Sequence, residues 1–98
     1  MEDNSPHLVL ITYEIFIPHS HSLKQKRSVT KSIIDRVRSR FNASVAEIAY
    51  QEQWQRCQLG VAMIGSSKHE LEKRAGRLYQ LILDTADIEL SHVNVEWI

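Results

Sequence analysis

The chain has 98 residues, 43% hydrophobic and 24% charged, with twelve basic and twelve acidic side chains and no net charge. That length allows one domain that buries roughly 65% of its unfolded surface, enough for one modest core and too little for a deep, walled active site. Five Gly and Pro residues in all argue against disorder, and the neutral total excludes a protein that is basic over its whole surface.

A single cysteine, Cys57, excludes an intrachain disulfide and with it a disulfide-stapled secreted domain. A reducing cytoplasm is the expected compartment. Residues 1–7 are acidic and polar, lack the basic start of a signal peptide, and read as a flexible extension of one domain spanning 1–98. The apolar stretch 8–17 contains Glu14 and is too short for a membrane span, so no membrane partner is expected.

Along residues 8–17, Val9, Ile11, Tyr13, Ile15 and Ile17 share one face, and Leu8, Leu10, Thr12, Glu14 and Phe16 the other. This alternation predicts a long central strand, ended by Pro18. Ser22 with Gln25 three residues on is a capping-box start. Val29, Ile33, Val37 and Phe41, flanked by Ile34, then form a helical stripe, closed near Phe41 with Asn42 following. Residues 43–50 alternate as a strand, Ala46 and Ile48 facing one way, Val45 and Glu47 the other. Residues 51–55 make a polar turn that carries Trp54. Residues 56–64 are a further strand, with Cys57, Leu59, Val61 and Met63 on one face. Gly65-Ser66-Ser67 breaks it, and Ser67 with Glu70 caps a second helix whose inward stripe is Leu71, Ala75, Leu78 and Ile82. Residues 88–98 close as a strand, with Val93, Val95 and Trp97 on one face.

The order β-α-β-β-α-β with two right-handed crossovers predicts an α+β fold, the ferredoxin-like sandwich. Its antiparallel sheet would have four strands in the order 4-1-3-2 and carry both helices on one face. The other face is then open, with Thr12, Glu14, Glu47, Gln58, Gly60 and Ala62 among its expected members.

The net charge of zero hides a segregation. Residues 22–41 carry Lys24, Lys26, Arg27, Lys31, Arg36, Arg38 and Arg40 against Asp35 alone, a net +6; the remainder of the chain carries −6. On a helix Lys24, Arg27, Lys31 and Arg38 fall within about 60° of one another, opposite the apolar stripe. Arg36 and Arg40 lie on a flank, and Asp35 can pair with Lys31 one turn away. An ordinary solvated face would mix signs, as the second helix does. Basic residues of one sign along one face are the footprint of phosphate contacts, with an acidic protein as the alternative partner. Lys24 and Lys26 in the first turn also oppose the positive end of the helix dipole, an arrangement that suits an anionic partner.

Little else points to chemistry. His19 and His21 flank Ser20, but further metal ligands are lacking, so no metal or other cofactor is expected. Cys57 follows a core pattern, and no paired carboxylates, phosphate loop or dinucleotide fingerprint occurs, so no catalytic residue and no enzyme activity are expected. Trp54 in a polar hairpin either folds back over the sheet end or, with Arg56, faces a partner. The strand 56–64 has no aromatic residue, and Phe16 is alone on the open face of the first strand, so base stacking on the sheet is disfavoured.

Three blocks carry a resemblance: Ser22-Leu23-Lys24-Gln25-Lys26-Arg27, the run R-x-R-x-R-F-N-x-S-V-A-E over 36–47, and W-Q-R-x-x-L-G-V-A over 54–62. On these the chain resembles the YlxP-like family, small bacterial proteins of unknown function, over nearly its whole length. The resemblance implies a ferredoxin-like fold and no catalytic residue or cofactor. Family members are often encoded among translation factors, and some are described as similar to ribosome-binding factors. Lys24, Lys26, Arg27, Arg36, Arg38, Arg40, Glu47, Trp54, Gln55 and Arg56 match the motif. Residues 49–52 depart from it, since the family usually has aspartates there.

The expected function is therefore a non-enzymatic RNA- or ribosome-associated module that uses the basic first helix, with ribosomal RNA or the small ribosomal subunit as partner. The alternative is a protein-interaction module or homodimer that uses the open sheet face, the edge strand 43–50 and Trp54.

Overall fold

A computed structural model describes residues 5–98. The elements in chain order are β1 (His7–Phe16), α1 (Leu23–Arg40), β2 (Ser44–Ala49), β3 (Arg56–Gly65), α2 (Lys68–Leu83) and β4 (Glu89–Trp97). Of the expected flexible extension 1–7, residues 1–4 lie outside the described residues. His7 is not part of an extension: it opens β1 and pairs with Gly65.

The sheet order is β2-β3-β1-β4, the expected 4-1-3-2 read from the other edge, and every pairing is antiparallel. The β-branched alternation of β1 has the predicted consequence. Val9, Ile11, Tyr13 and Ile15 are buried with Cys57, Leu59, Val61 and Met63 of β3, while their β1 neighbours are half-exposed. The same cluster takes in Ile33 and Val37 of α1 and Leu71, Leu78 and Ile82 of α2, so both helices cover one face of an α+β sandwich.

Local chemistry sets where the helices begin. Ser22 Oγ accepts the Gln25 N–H at 3.0 Å, and Gln25 Oε1 accepts the His21 N–H at 2.6 Å, a capping box that reaches one residue further back than usual. Ser67 Oγ accepts the Glu70 N–H at 3.2 Å, while the Glu70 carboxylate instead meets Lys73. Phe41 is extended and ends α1.

In β2 the register shifts between Glu47 and Ala49, which lets Ile48 lie across Gly60. A methyl group at Gly60 would stand 2.8 Å from Ile48 Cγ1, so the glycine is what allows this approach. Glu47 corrects the expectation for the open face. It alternates with buried Val45 and turns its carboxylate inward, toward α1.

A candidate nucleic-acid interface on the first helix

The seven basic residues of α1 separate into three groups. Lys24, Arg27, Lys31 and Arg40 are exposed on the outer side. Lys31 Nζ meets Asp35 at 3.0 Å as the spacing predicts, a solvated pair of small energetic weight. Arg38 and Arg36 are tethered. Arg38 is exposed and donates to the Val45 carbonyl at 3.2 Å. Arg36 is half-buried and donates to Thr85 Oγ1 at 2.9 Å, with its Nε buried and unpartnered.

Lys26 is the third group, and a correction: it is 0% exposed and cannot reach an external anion. Its Nζ lies 2.9 Å from Glu47 Oε2 and donates to the Tyr50 carbonyl at 2.6 Å. The lysine therefore clamps α1 to both ends of the β2 turn.

Cys57 adjoins this pair from β3. Burial, then the hydrogen bond to Glu47 and that carboxylate's charge, push the thiol up to about 12, against a smaller opposing pull from Lys26. Burial likewise pushes the Tyr13 phenol up. Both groups thus hold their protons more tightly in the folded state than in the unfolded one. Above pH ~9 the unfolded chain releases the Cys57 proton first, so stability is present below that pH and lost as pH rises toward 12. We expect the unfolding free energy to fall by on the order of 1 kcal/mol per pH unit across this window, and Cys57→Ser to flatten its lower part. Urea unfolding between pH 8 and 11 reads this directly; a flat wild-type profile would contradict it.

The opposite end of the hairpin is stitched to the start of α1. The Gln55 side chain donates to the Pro18 and Ser20 carbonyls at 3.1 Å each, and the Ile17 N–H donates to the Gln55 carbonyl at 2.8 Å. Trp54, next to this anchor, is 53% exposed and does not fold over the sheet end. A shallow groove beside it is lined by Phe16, His21 and Trp54. We expect Trp54→Ala to change stability by less than ~0.5 kcal/mol, because the ring packs on little; thermal unfolding followed by circular dichroism tests this.

Arg56 is not a free partner contact. Its guanidinium lies 3.9 Å over the Tyr50 ring, whose hydroxyl donates to Glu14 Oε1 at 3.3 Å. Tyr50 thus lies along the open sheet face, a placement that follows from its left-handed backbone (φ 66°) and that no sequence periodicity marks.

Sequence reading also passed over Arg74 and Arg77. α2 ends at Leu83, so Asp84 and Asp87 fall outside it, and within it Lys68, Lys73, Arg74 and Arg77 outnumber Glu70 and Glu72. The second helix is therefore net positive rather than balanced. His19 and His21 are exposed, and among the described residues no three His, Cys, Asp or Glu side chains are grouped to hold a metal. No described helix is long and apolar enough to cross a membrane.

The architecture defines a small α+β protein, an antiparallel four-stranded sheet covered on one face by two helices. The de novo designed protein Foldit4 shares it, with a TM-score of 0.54 at 18% identity, over 94% of this chain and 96% of that one. The chain belongs to the family of proteins of unknown function DUF503, whose model matches residues 8–95. It is 40% identical over 84 residues to the uncharacterized protein YlxP of Bacillus subtilis (strain 168), covering 86% of this chain and 91% of the relative. The motif blocks that carry the YlxP-like resemblance meet in space: Lys26 of the first touches Glu47 of the second, and Gln55 of the third holds the loop before the first.

Proposed function

We propose that this chain is a ferredoxin-like, non-enzymatic module that binds RNA along the outer face of α1, in the cytoplasm, with ribosomal RNA or the small ribosomal subunit as partner. The observation that carries this reading is the single sign of that face. Lys24, Arg27, Lys31 and Arg40 are exposed, Arg38 runs beside them, and Asp35 is the one acid in the helix. Lys24 stands in a first turn without any acid, where it opposes the dipole; an anion there reverses that penalty. The open sheet face suits RNA less well. Glu14 and the Arg56–Tyr50 stack occupy one end of it, and β3 offers no aromatic ring. The most nucleophilic group, Cys57, is protonated and buried, which supports a binding role.

The test is binding to ribosomal RNA and to small subunits over a range of salt. Steeply salt-dependent binding supports the reading, and salt-insensitive or absent binding overturns it.

A second reading rests on exposed apolar groups. Ile48, Ile64 and Trp54 are all more than half exposed, and the first two lie on the open sheet face beside half-buried Leu8 and Leu10. Such a surface suits a second copy of the chain. Light scattering across a wide concentration range would show a dimer on this reading, and a strict monomer would exclude it.

A further inference from the structure

At the far end of α1 from the hairpin, a groove runs between that helix and α2. It is lined by Arg40, Phe41, Asn42, Arg74, Arg77 and Leu81. Three guanidinium groups from two helices thus border one concavity that contains no carboxylate. Arg40 has a local reason to be there, since a base in a last helical turn favours the dipole. Arg74 and Arg77 do not. They sit in the middle of α2, three residues apart on one face, where like charges repel. The one acid within a turn's reach of them, Glu70, is turned to Lys73 at 3.6 Å. Among the described residues, Arg40 and Arg77 have no ion pair or hydrogen bond from their side chains.

Arg74 is held in place. Its guanidinium donates to the Asn42 carbonyl at 2.7 Å, which fixes the side chain while leaving its other N–H donors uncommitted. Phe41 and Leu81 give the groove an apolar lining, where charge-assisted hydrogen bonds are stronger than in open water. Pre-set, uncompensated arginines in such a groove match the planar, multidentate recognition of a phosphate group.

We infer that the Arg40–Arg74–Arg77 groove is a phosphate-binding site. That the phosphate belongs to an RNA strand rests on the function proposed above; the site itself rests on the groove. It would extend the α1 track onto α2 and fix the position of one nucleotide. Terminal phosphomonoesters and internal phosphodiesters share this chemistry, and the experiment separates them.

The experiment follows arginine Nε–H resonances by NMR on the full chain. The probes are inorganic pyrophosphate, a short single-stranded RNA with a 5′-phosphate, and the same RNA with a 5′-hydroxyl. All three should shift the resonances of Arg40, Arg74 and Arg77 ahead of the other arginines. A larger response to the 5′-phosphate identifies a terminal occupant and an equal response an internal one. Arg77→Gln, which leaves the Asn42 tether intact, should abolish the shifts at Arg40 and Arg74. It should also reduce the slope of log affinity for RNA against log salt by about 0.7. Absence of these shifts with pyrophosphate and RNA alike, or shifts spread evenly over all arginines, would overturn the site. Shifts with pyrophosphate but no RNA binding by the unmodified protein would overturn the RNA function and leave the phosphate site standing.

Discussion

Lys26→Ala is expected to destabilise the protein by about 3–5 kcal/mol, a large part of the ~5–15 kcal/mol that holds a domain of this size together. The effect comes less from the attraction lost than from what remains. Glu47, with a side chain 20% exposed, would keep its charge against the core without the ammonium at 2.9 Å, and the Tyr50 carbonyl would lose its donor. Removing both partners is expected to be far milder. Lys26→Met with Glu47→Leu should recover most of the loss, because replacing a buried ion pair by apolar groups of like volume is often close to neutral. Urea unfolding midpoints of the two single variants and the double variant measure this coupling. Strictly additive losses would show that the pair is not the unit described here.

The second large effect concerns RNA. Lys24→Glu with Arg27→Glu should lower affinity for a single-stranded ribosomal RNA fragment by about 100-fold or more near 100 mM salt. It should also make the slope of log affinity against log salt shallower by about 1.4, the equivalent of two phosphate contacts. Both side chains are exposed, so the fold should persist. Asp35→Asn removes the one acid of α1 and should act in the opposite direction. Filter binding over a salt series checks all three proteins. Equal affinity and equal slope for the wild type and the double variant would place any RNA elsewhere on the surface.

Much of the fold was legible because its strands are amphipathic with a strict period of two. The alternation of β1 and β3 identifies the buried face residue by residue, and the two serine caps place the helix starts. Lys26 was misread as one member of a basic run. Yet at about 100° per residue it lies roughly 160° from Lys24 and close to the line of Ile33 and Val37, on the apolar stripe. Glu47 shares a strand face with buried Val45. A base on one inward pattern and an acid on another are the signal of a buried pair, and each is uninformative without the other. Arg74 and Arg77 carried no such signal. Their meaning depends on where α2 ends and on how it meets the last turn of α1, which only packing decides. Tyr50 was hidden for a related reason, since its ring is directed by one left-handed backbone position.

The place of β1 in the sheet bears on how the chain assembles. Val9 pairs with Met63 on one side and with Trp97 on the other, partners about 50 and 90 residues away. Neither contact forms until a long loop has closed, so the sheet is topologically slow to form and its helices can precede it. β4 becomes available last as the chain is made. Before it docks, β1 presents an unpaired edge rich in isoleucine and valine, the kind of template on which other chains align. Its docking therefore both completes the domain and shields that edge from aggregation.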